Sequence, residues 1–489
     1  MMIKVQRILI LLLGCIAAMM ACTPTKQSTI DEALQTKVDS VLQNKMGEIN
    51  AVSGQVIVME VQTGEIKAMV GDGISQESGL TRTASLLAAL ETGRVDLSDT
   101  VDVGEGVYMV HGKPLFDHNW RMGGFGKITT LEGLMLNSYI ALYKNIERAF
   151  EEENAYFGML NKMCYGQPES IEGLDSLKAS YFESPEDSSA LAWSCIGHNQ
   201  RISPIQMLTF YNAIANGGKM VKPMLYKGET EVINPQIASK ANIDSLQMAL
   251  VHVVTEGLGK PAQSGKVQVA GFGGGFPIST EEDNSEGRIN TVFSVGFCGY
   301  FPADNPKYSI IVCMNKKGYP ANSYLMAGSV FKEIVDYMVD SGETTETNDT
   351  TSLTDSLPKK SLNDIRFAGW TEKNWLDNEY IQTLRNQIDA CLQGKISDPQ
   401  FEKYKDELSG KFMICSIEPY IMGGVFIQFC FIDRPNKIFS TWVYSKVDEE
   451  TETVYDYECN GLELEEYESD LTKEEMIKIS KEHPEQKLW

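Results

Sequence analysis

The stretch SGLTRTASLLAALETG, Ser78–Gly93, decides how the chain reads. Its second half, LLAALETG, is an apolar helix closed by Gly93, since glycine just past the last periodic residue is a stop signal. Its first half is dense in hydroxyls and sets Gly79 and Arg82 one helical turn apart. Upstream, GQVIVMEVQTGEIKAMVG (Gly54–Gly71) reads as two strands around a turn at Gln62-Thr63-Gly64. Downstream, Ser203-Pro204 opens IQMLTFYNAIAN and Gly217 follows it, the pattern of a capped helix. Two strand-like runs, NTVFSVGFCGYF and KYSIIVCMN, flank a Pro-Ala-Asp-Asn-Pro turn. The expectation is a mixed α/β block with strands and helices interleaved.

The chain has 489 residues, enough for more than one domain. A formal net charge of −24 excludes nucleic acid as a partner, because phosphate contacts need clustered Lys and Arg. Five histidines, with no CxxC and no HExxH, point to no metal and no cofactor. At the N-terminus Lys4 and Arg7 precede an apolar run, Ile8–Met20, too short for a span of about 20 residues but right for a signal-peptide core. Met19-Met20-Ala21-Cys22 ends it. A small residue before a cysteine at that place resembles a bacterial lipobox, which implies removal of residues 1–21 and lipid on Cys22. Leu12-Leu13-Gly14-Cys15 also fits, with a very short apolar core. The plainer alternative is an ordinary secretory signal. Setting Cys15 and Cys22 aside leaves eight of the ten cysteines, an even number that permits disulfides. Buried thiols remain open, since Cys298, Cys313, Cys415 and Cys430 lie in apolar runs.

Residues 22–53 read as a lipidated tether and an N-terminal helix. Thr29-x-x-Glu32 has capping-box spacing, and Ile30, Leu34, Val38, Val41 and Leu42 share a face. Residues 54–340 form the large block. Residues 341–360, SGETTETNDTTSLTDSLPKK, are almost free of apolar side chains and read as a linker. Residues 361–489 form a small α+β block. An amphipathic stretch with Ile381, Leu384, Ile388 and Cys391 in register precedes four strand-like runs, and Thr472-x-x-Glu475 starts a last helix. That order suggests a cystatin-like or nuclear-transport-factor-like topology. The acidic stretch 448–470 reads as a solvated face.

The large block resembles the transpeptidase domain of penicillin-binding proteins. Gly54–Gly71 is similar to that family's opening strand pair. GVYMVHGKPLFDHNWRMGGFGKITTLEGLMLNSYIALYK is similar to the stretch leading into its second motif. GHNQRISPIQMLTFYNAIANGGKMVKP and FCGYFPADNPKYSIIVCMN resemble the helix before its third motif and its closing strands. The likeness runs from Thr29 to Asp340 in family order. It implies an antiparallel sheet flanked by helices.

The family's chemistry rests on three motifs: Ser-x-x-Lys at a helix start, Ser-x-Asn on a facing loop, and Lys-Thr-Gly on an edge strand. Aligned by resemblance, Gly79 takes the serine's place and Arg82 the lysine's. Asn137, Ser138 and Tyr139 fall on Ser-x-Asn. Phe272, Gly273 and Gly274 fall on Lys-Thr-Gly. Glycine offers no nucleophile, and arginine stays protonated in proteins. Taken singly these residues have bland readings: Arg82 a surface charge, Ser138 a helix residue, Gly273–Gly275 a turn or bulge, Phe272 a filler. Together they imply a groove lined by degenerate motif positions with no catalytic residue. The expected function is an inactive, penicillin-binding-protein-like lipoprotein. It would act as a binding or scaffolding module of the cell envelope, anchored to a membrane outside the cytoplasm. Its expected partners are peptidoglycan stem peptides or cell-wall synthesis proteins. The alternative is an active serine transpeptidase or hydrolase with a displaced nucleophile, Ser78 or Ser138. A third possibility is a ligand sensor signalling through the linker.

Overall fold

The structure is a computed structural model. It describes residues 26–72, 79–120, 123–175, 190–198, 200–283, 288–318, 321–342, 379–395, 398–420, 424–434, 437–447, 454–466 and 473–482. Cys15, Cys22, Ser78, Thr472 and most of the 341–360 stretch lie outside these residues. Among the described residues no helix is long and apolar enough to cross a membrane.

Helix α1, Glu32–Ile49, buries Leu34, Val38, Val41 and Leu42 on one face. Its cap differs from the Thr29-x-x-Glu32 reading. Asp31 is the N-cap and accepts from the Leu34 N–H at 2.9 Å, while the Thr29 hydroxyl donates to the carbonyl of Ile66 at 2.8 Å. The aspartate wins because its carboxylate sits one residue from the first helical turn. The threonine, two residues back, is free to tie the incoming chain to a strand.

Strands β1 (Ala51–Glu60) and β2 (Ile66–Asp72) flank the expected turn. With β3 (Ala270–Asp283), β4 (Arg288–Phe301) and β5 (Tyr308–Lys317) they form a five-stranded antiparallel sheet in the order β2-β1-β5-β4-β3. Burial runs almost unbroken along β5 because helices cover both faces of the sheet. On one face Leu42 and Met46 of α1 press against Gly54. On the other, Asn212 of the helix Pro204–Ala215 donates to the Val61 carbonyl at 3.0 Å and accepts from the Ser309 hydroxyl at 2.7 Å. That helix has the expected Ser203 cap, closed into a capping box by Gln206.

Helix α2, Thr81–Glu91, starts two residues later than a helix opening at Gly79, with Leu80 in the capping position. Every residue from Thr81 to Leu90 is buried, as expected of a helix ringed by others. Helices α3 (Thr130–Met135) and α4 (Tyr139–Ala149) bring the second segment to its side. Gly273–Gly275 are neither turn nor bulge but lie inside β3, in unbroken register with Phe297, Gly296 and Val295.

The small block follows its sequence reading. Helix α5, Glu379–Leu392, buries Ile381, Leu384, Ile388 and Cys391. It packs on a meander of β6 (Phe412–Tyr420), β7 (Gly424–Phe431), β8 (Lys437–Val447) and β9 (Val454–Glu466). Cys195, Cys298, Cys313 and Cys391 are buried thiols. Desolvation raises the pKa of each.

Candidate functional site

The three aligned segments meet in space. Arg82 lies on the first turn of α2 and is 2 % exposed. Its Nε donates to the Gly79 carbonyl at 2.7 Å, and its Nη1 to Oδ1 of Asn137 at 2.6 Å. The guanidinium carbon stands 4.7 Å from the centre of the Tyr139 ring and 5.3 Å from that of Phe272. Arginine has five N–H donors and no basic lone pair. Here two go to neutral oxygens, two ring faces cover the charge, and Nη2 has no hydrogen-bond partner. The surface-charge reading of Arg82 fails: the residue is the centre of the site.

Gly79 has no room for a side chain without movement of its neighbours. A Cβ there would fall on Nη2 of Arg82 and lie 3.0 Å from the Gly275 nitrogen. A Cβ on Gly274 would come within 2.7 Å of Gly79 O and Leu80 N, so β3 and the start of α2 touch backbone to backbone. A Cβ on Gly273 would enter the Tyr324 ring at 2.7 Å. That ring also meets Phe272 edge-on, with centroids 6.3 Å apart. Phe272 is 1 % exposed and fills the interior beside the guanidinium. Each glycine of the GFGGG run therefore has its own reason: Gly271 admits the Phe297 ring, Gly273 admits Tyr324, Gly274 admits α2, and Gly275 admits the Ser323 hydroxyl.

Asn137 takes a left-handed backbone conformation, φ 57°, which asparagine tolerates better than most residues. Ser138 caps α4, accepting from Ala141 N at 3.0 Å and donating to Oδ2 of Asp117 at 2.6 Å. Asp117 also accepts from Ile140 N at 3.1 Å. Burial lifts its pKa to about 6, against the pull of those donors. Sequence alone showed no partner for Ser138, because Asp117 lies 21 residues away on a separate loop. His118 and His198 flank the site. Burial, and then the Arg82 charge, hold both imidazoles down to about 4, so they are neutral at pH 7.

The hydroxyls at the head of α2 find tyrosines. Thr81 pairs with Tyr165 at 2.8 Å, Thr83 with Tyr211 at 2.7 Å, and Ser85 with Tyr156 at 2.7 Å. These tyrosines lie on distant segments, so nothing local in the sequence announced them. A small cavity of about 10 Å³, the room of about one water, lies between Arg82, Asn137, Ser138, Thr130, Asn145 and Phe272. Among the described residues no cluster of three or more His, Cys, Asp or Glu could hold a metal.

Residues 54–336 match the family model of the penicillin binding protein transpeptidase domain. The chain is 24% identical over 394 residues to stage V sporulation protein D of Bacillus subtilis (strain 168), covering 72% of this chain and 56% of that protein. It is 23% identical over 332 residues to the probable peptidoglycan D,D-transpeptidase FtsI of Caulobacter vibrioides, covering 61% and 54%. The chain thus spans about half the length of these curated relatives. Among solved structures, the transpeptidase domain of Burkholderia pseudomallei penicillin-binding protein 3 superposes with a TM-score of 0.57 at 20% identity, covering 65% of this chain and 97% of that one. That likeness concerns the fold. With the family model spanning more than half its length, the chain belongs to the penicillin-binding protein transpeptidase domain family.

Proposed function

We propose that this chain is a catalytically inactive member of its family, a lipid-anchored binding or scaffolding module of the cell envelope. Its partners are peptidoglycan stem peptides or cell-wall synthesis proteins. The observation that carries the reading is the place of Arg82. Its Nη2 lies 2.3 Å from the point where a Cβ on Gly79 would sit, so a permanent cation crowds the nucleophile's position. Acyl transfer needs a nucleophile and a base to take its proton. Gly79 supplies no nucleophile, and Arg82 cannot serve as the base. Phe272, an apolar ring, stands where the family carries a cation for a carboxylate. Losing one member of such a cooperating set costs about 10⁴–10⁶ in rate.

The test is incubation of the ectodomain with excess fluorescent penicillin, followed by denaturation and intact-mass measurement. The expected result is no covalent adduct. Gly79→Ser alone restores none, because base and clamp are still missing. The Ser138–Asp117 contact favours the second reading, a displaced nucleophile with a carboxylate beside it. Against it, Ser138 is buried and its hydroxyl is engaged on both sides. Stoichiometric adduct on Ser138 or Ser78 would replace the inactive reading with this one. The anchor is checked by the mass of the mature chain, which should begin at a diacylglyceryl-modified Cys22.

A further inference from the structure

We infer that the crevice between the helices and β3 is held shut by a clasp centred on Arg82, so that the β3 edge accepts no extended peptide. This rests on the inactive reading and narrows it. Stem peptides drop out as occupants of this crevice.

The β3 strand is the last in the sheet order, and such an edge ordinarily offers its free N–H and C=O groups to solvent or to an added strand. Here Gly271–Gly274 and Phe276 are buried and Gly275 is half-buried. The helix Lys240–Thr255 packs on this strand, and the face that carries Phe272, Gly274 and Phe276 meets three further segments. The Gly79–Leu80 peptide lies on Gly274. The Arg82 guanidinium bridges Phe272 of β3 to Tyr139 and Asn137 at the head of α4. Phe276 packs at 4.1 Å against the ring of His198, which follows the helix Ala190–Ile196, and at 6.3 Å against Tyr139. Arginine suits such a bridge, since its flat cation binds two ring faces and two oxygens at once.

Hydrogen exchange on the whole ectodomain tests the clasp. All amides of Gly271–Phe276, including those pointing away from β4, should exchange at least about a thousandfold slower than in an unstructured chain. Arg82→Met should speed them by about tenfold or more while β1 and β5 stay slow. If that variant does not fold, Phe276→Leu loosens the outer contact with the same expected direction. A peptide ending in D-alanyl-D-alanine, added at millimolar concentration, should leave the wild-type rates unchanged. Unprotected outward amides in the wild type would overturn the clasp, as would slowing by the peptide, or unchanged rates in the folded variant. The two readings fail separately. An open β3 without a penicillin adduct sinks the clasp alone, and an adduct sinks the inactive reading whatever the exchange shows.

Discussion

At the scale of single residues, the site is governed by one buried cation and the groups that must tolerate it. Burial shifts the titratable groups around it, and for the two histidines the Arg82 charge adds to that shift. His118 and His198 sit near 4, below the roughly 6.5 of an exposed imidazole. The stability this implies is fully present above about pH 6.5 and is lost as pH falls toward 4, because the unfolded chain binds protons that the folded one refuses. Asp117, raised to about 6, has the opposite sign. Its contribution is full below the ordinary aspartate value and is lost as pH rises through 6. Over the shared window two histidines oppose one aspartate, so net stability should fall on acidification. Each proton is worth about 1.4 kcal/mol per pH unit where it titrates fully. Urea midpoints at pH 7 and pH 5 measure this, and His198→Gln should flatten the slope. A midpoint that holds or rises between pH 7 and 5 would contradict the assignment. Gly79 and Arg82 were legible because the resemblance aligns this helix start with the family's Ser-x-x-Lys. Their burial and the flanking histidines were not, since His118 and His198 reach Arg82 only through the tertiary fold.

Among the elements, the most informative contacts lie at the two edges of the large sheet. The β3 edge is covered by Arg82 and its rings, and β2 is covered differently. The Gln35 side chain of α1 accepts from Met69 N and donates to Met69 O, both at 2.8 Å, so one amide imitates a neighbouring strand. Asp31 N donates to Lys67 O at 2.9 Å, and the Thr29 hydroxyl donates to Ile66 O. The segment leading into α1 thus satisfies an edge that would otherwise invite a second chain. Gln35→Ala should cost about 1–2 kcal/mol through two lost hydrogen bonds and promote self-association, seen as a concentration-dependent rise in mass by sedimentation. An unchanged monomer of unchanged stability would refute this role. The elements themselves were largely readable. The strand pair around Gln62–Gly64, the Ser203 cap and the α5 stripe stand where periodicity and caps put them. The misses have a common cause. Taken singly, Gly273–Gly275 read as a turn or bulge because glycine is depleted in strands; the resemblance put Gly273 and Gly274 on an edge strand, and the partners at Tyr324 and Gly79 show why β3 needs glycine there. Likewise Gln35 looked like any polar face residue, because a side chain that imitates backbone leaves no local signature.

For the whole molecule, the described residues divide into two hydrophobic cores. The larger runs from Leu34 of α1 to Met338. The smaller gathers Ile381, Leu384 and Ile388 of α5 with the aromatic rungs Phe412, Phe429, Phe431 and Phe439 of the meander. Trp442 is the exception. It sits on β8 of the small sheet, is 4 % exposed, and belongs to the larger core. Its neighbours on the same strand, Phe439 and Val443, point into the small core, as strand alternation requires. Two cores joined through few side chains should unfold in two steps, since cooperativity follows continuous packing and not chain connection. Calorimetry of the protein should therefore show two transitions, the smaller unit melting first because less of its surface is buried. Docking by Trp442 raises that first transition by whatever free energy the contact contributes. Trp→Ala changes at buried sites cost about 3–5 kcal/mol, and here the loss falls on the coupling between units. Trp442→Ala should then lower the first transition by several degrees and leave the second in place. A single transition with equal calorimetric and van't Hoff enthalpies would show one cooperative unit, and two transitions shifted equally by the substitution would place Trp442 in a core both units share.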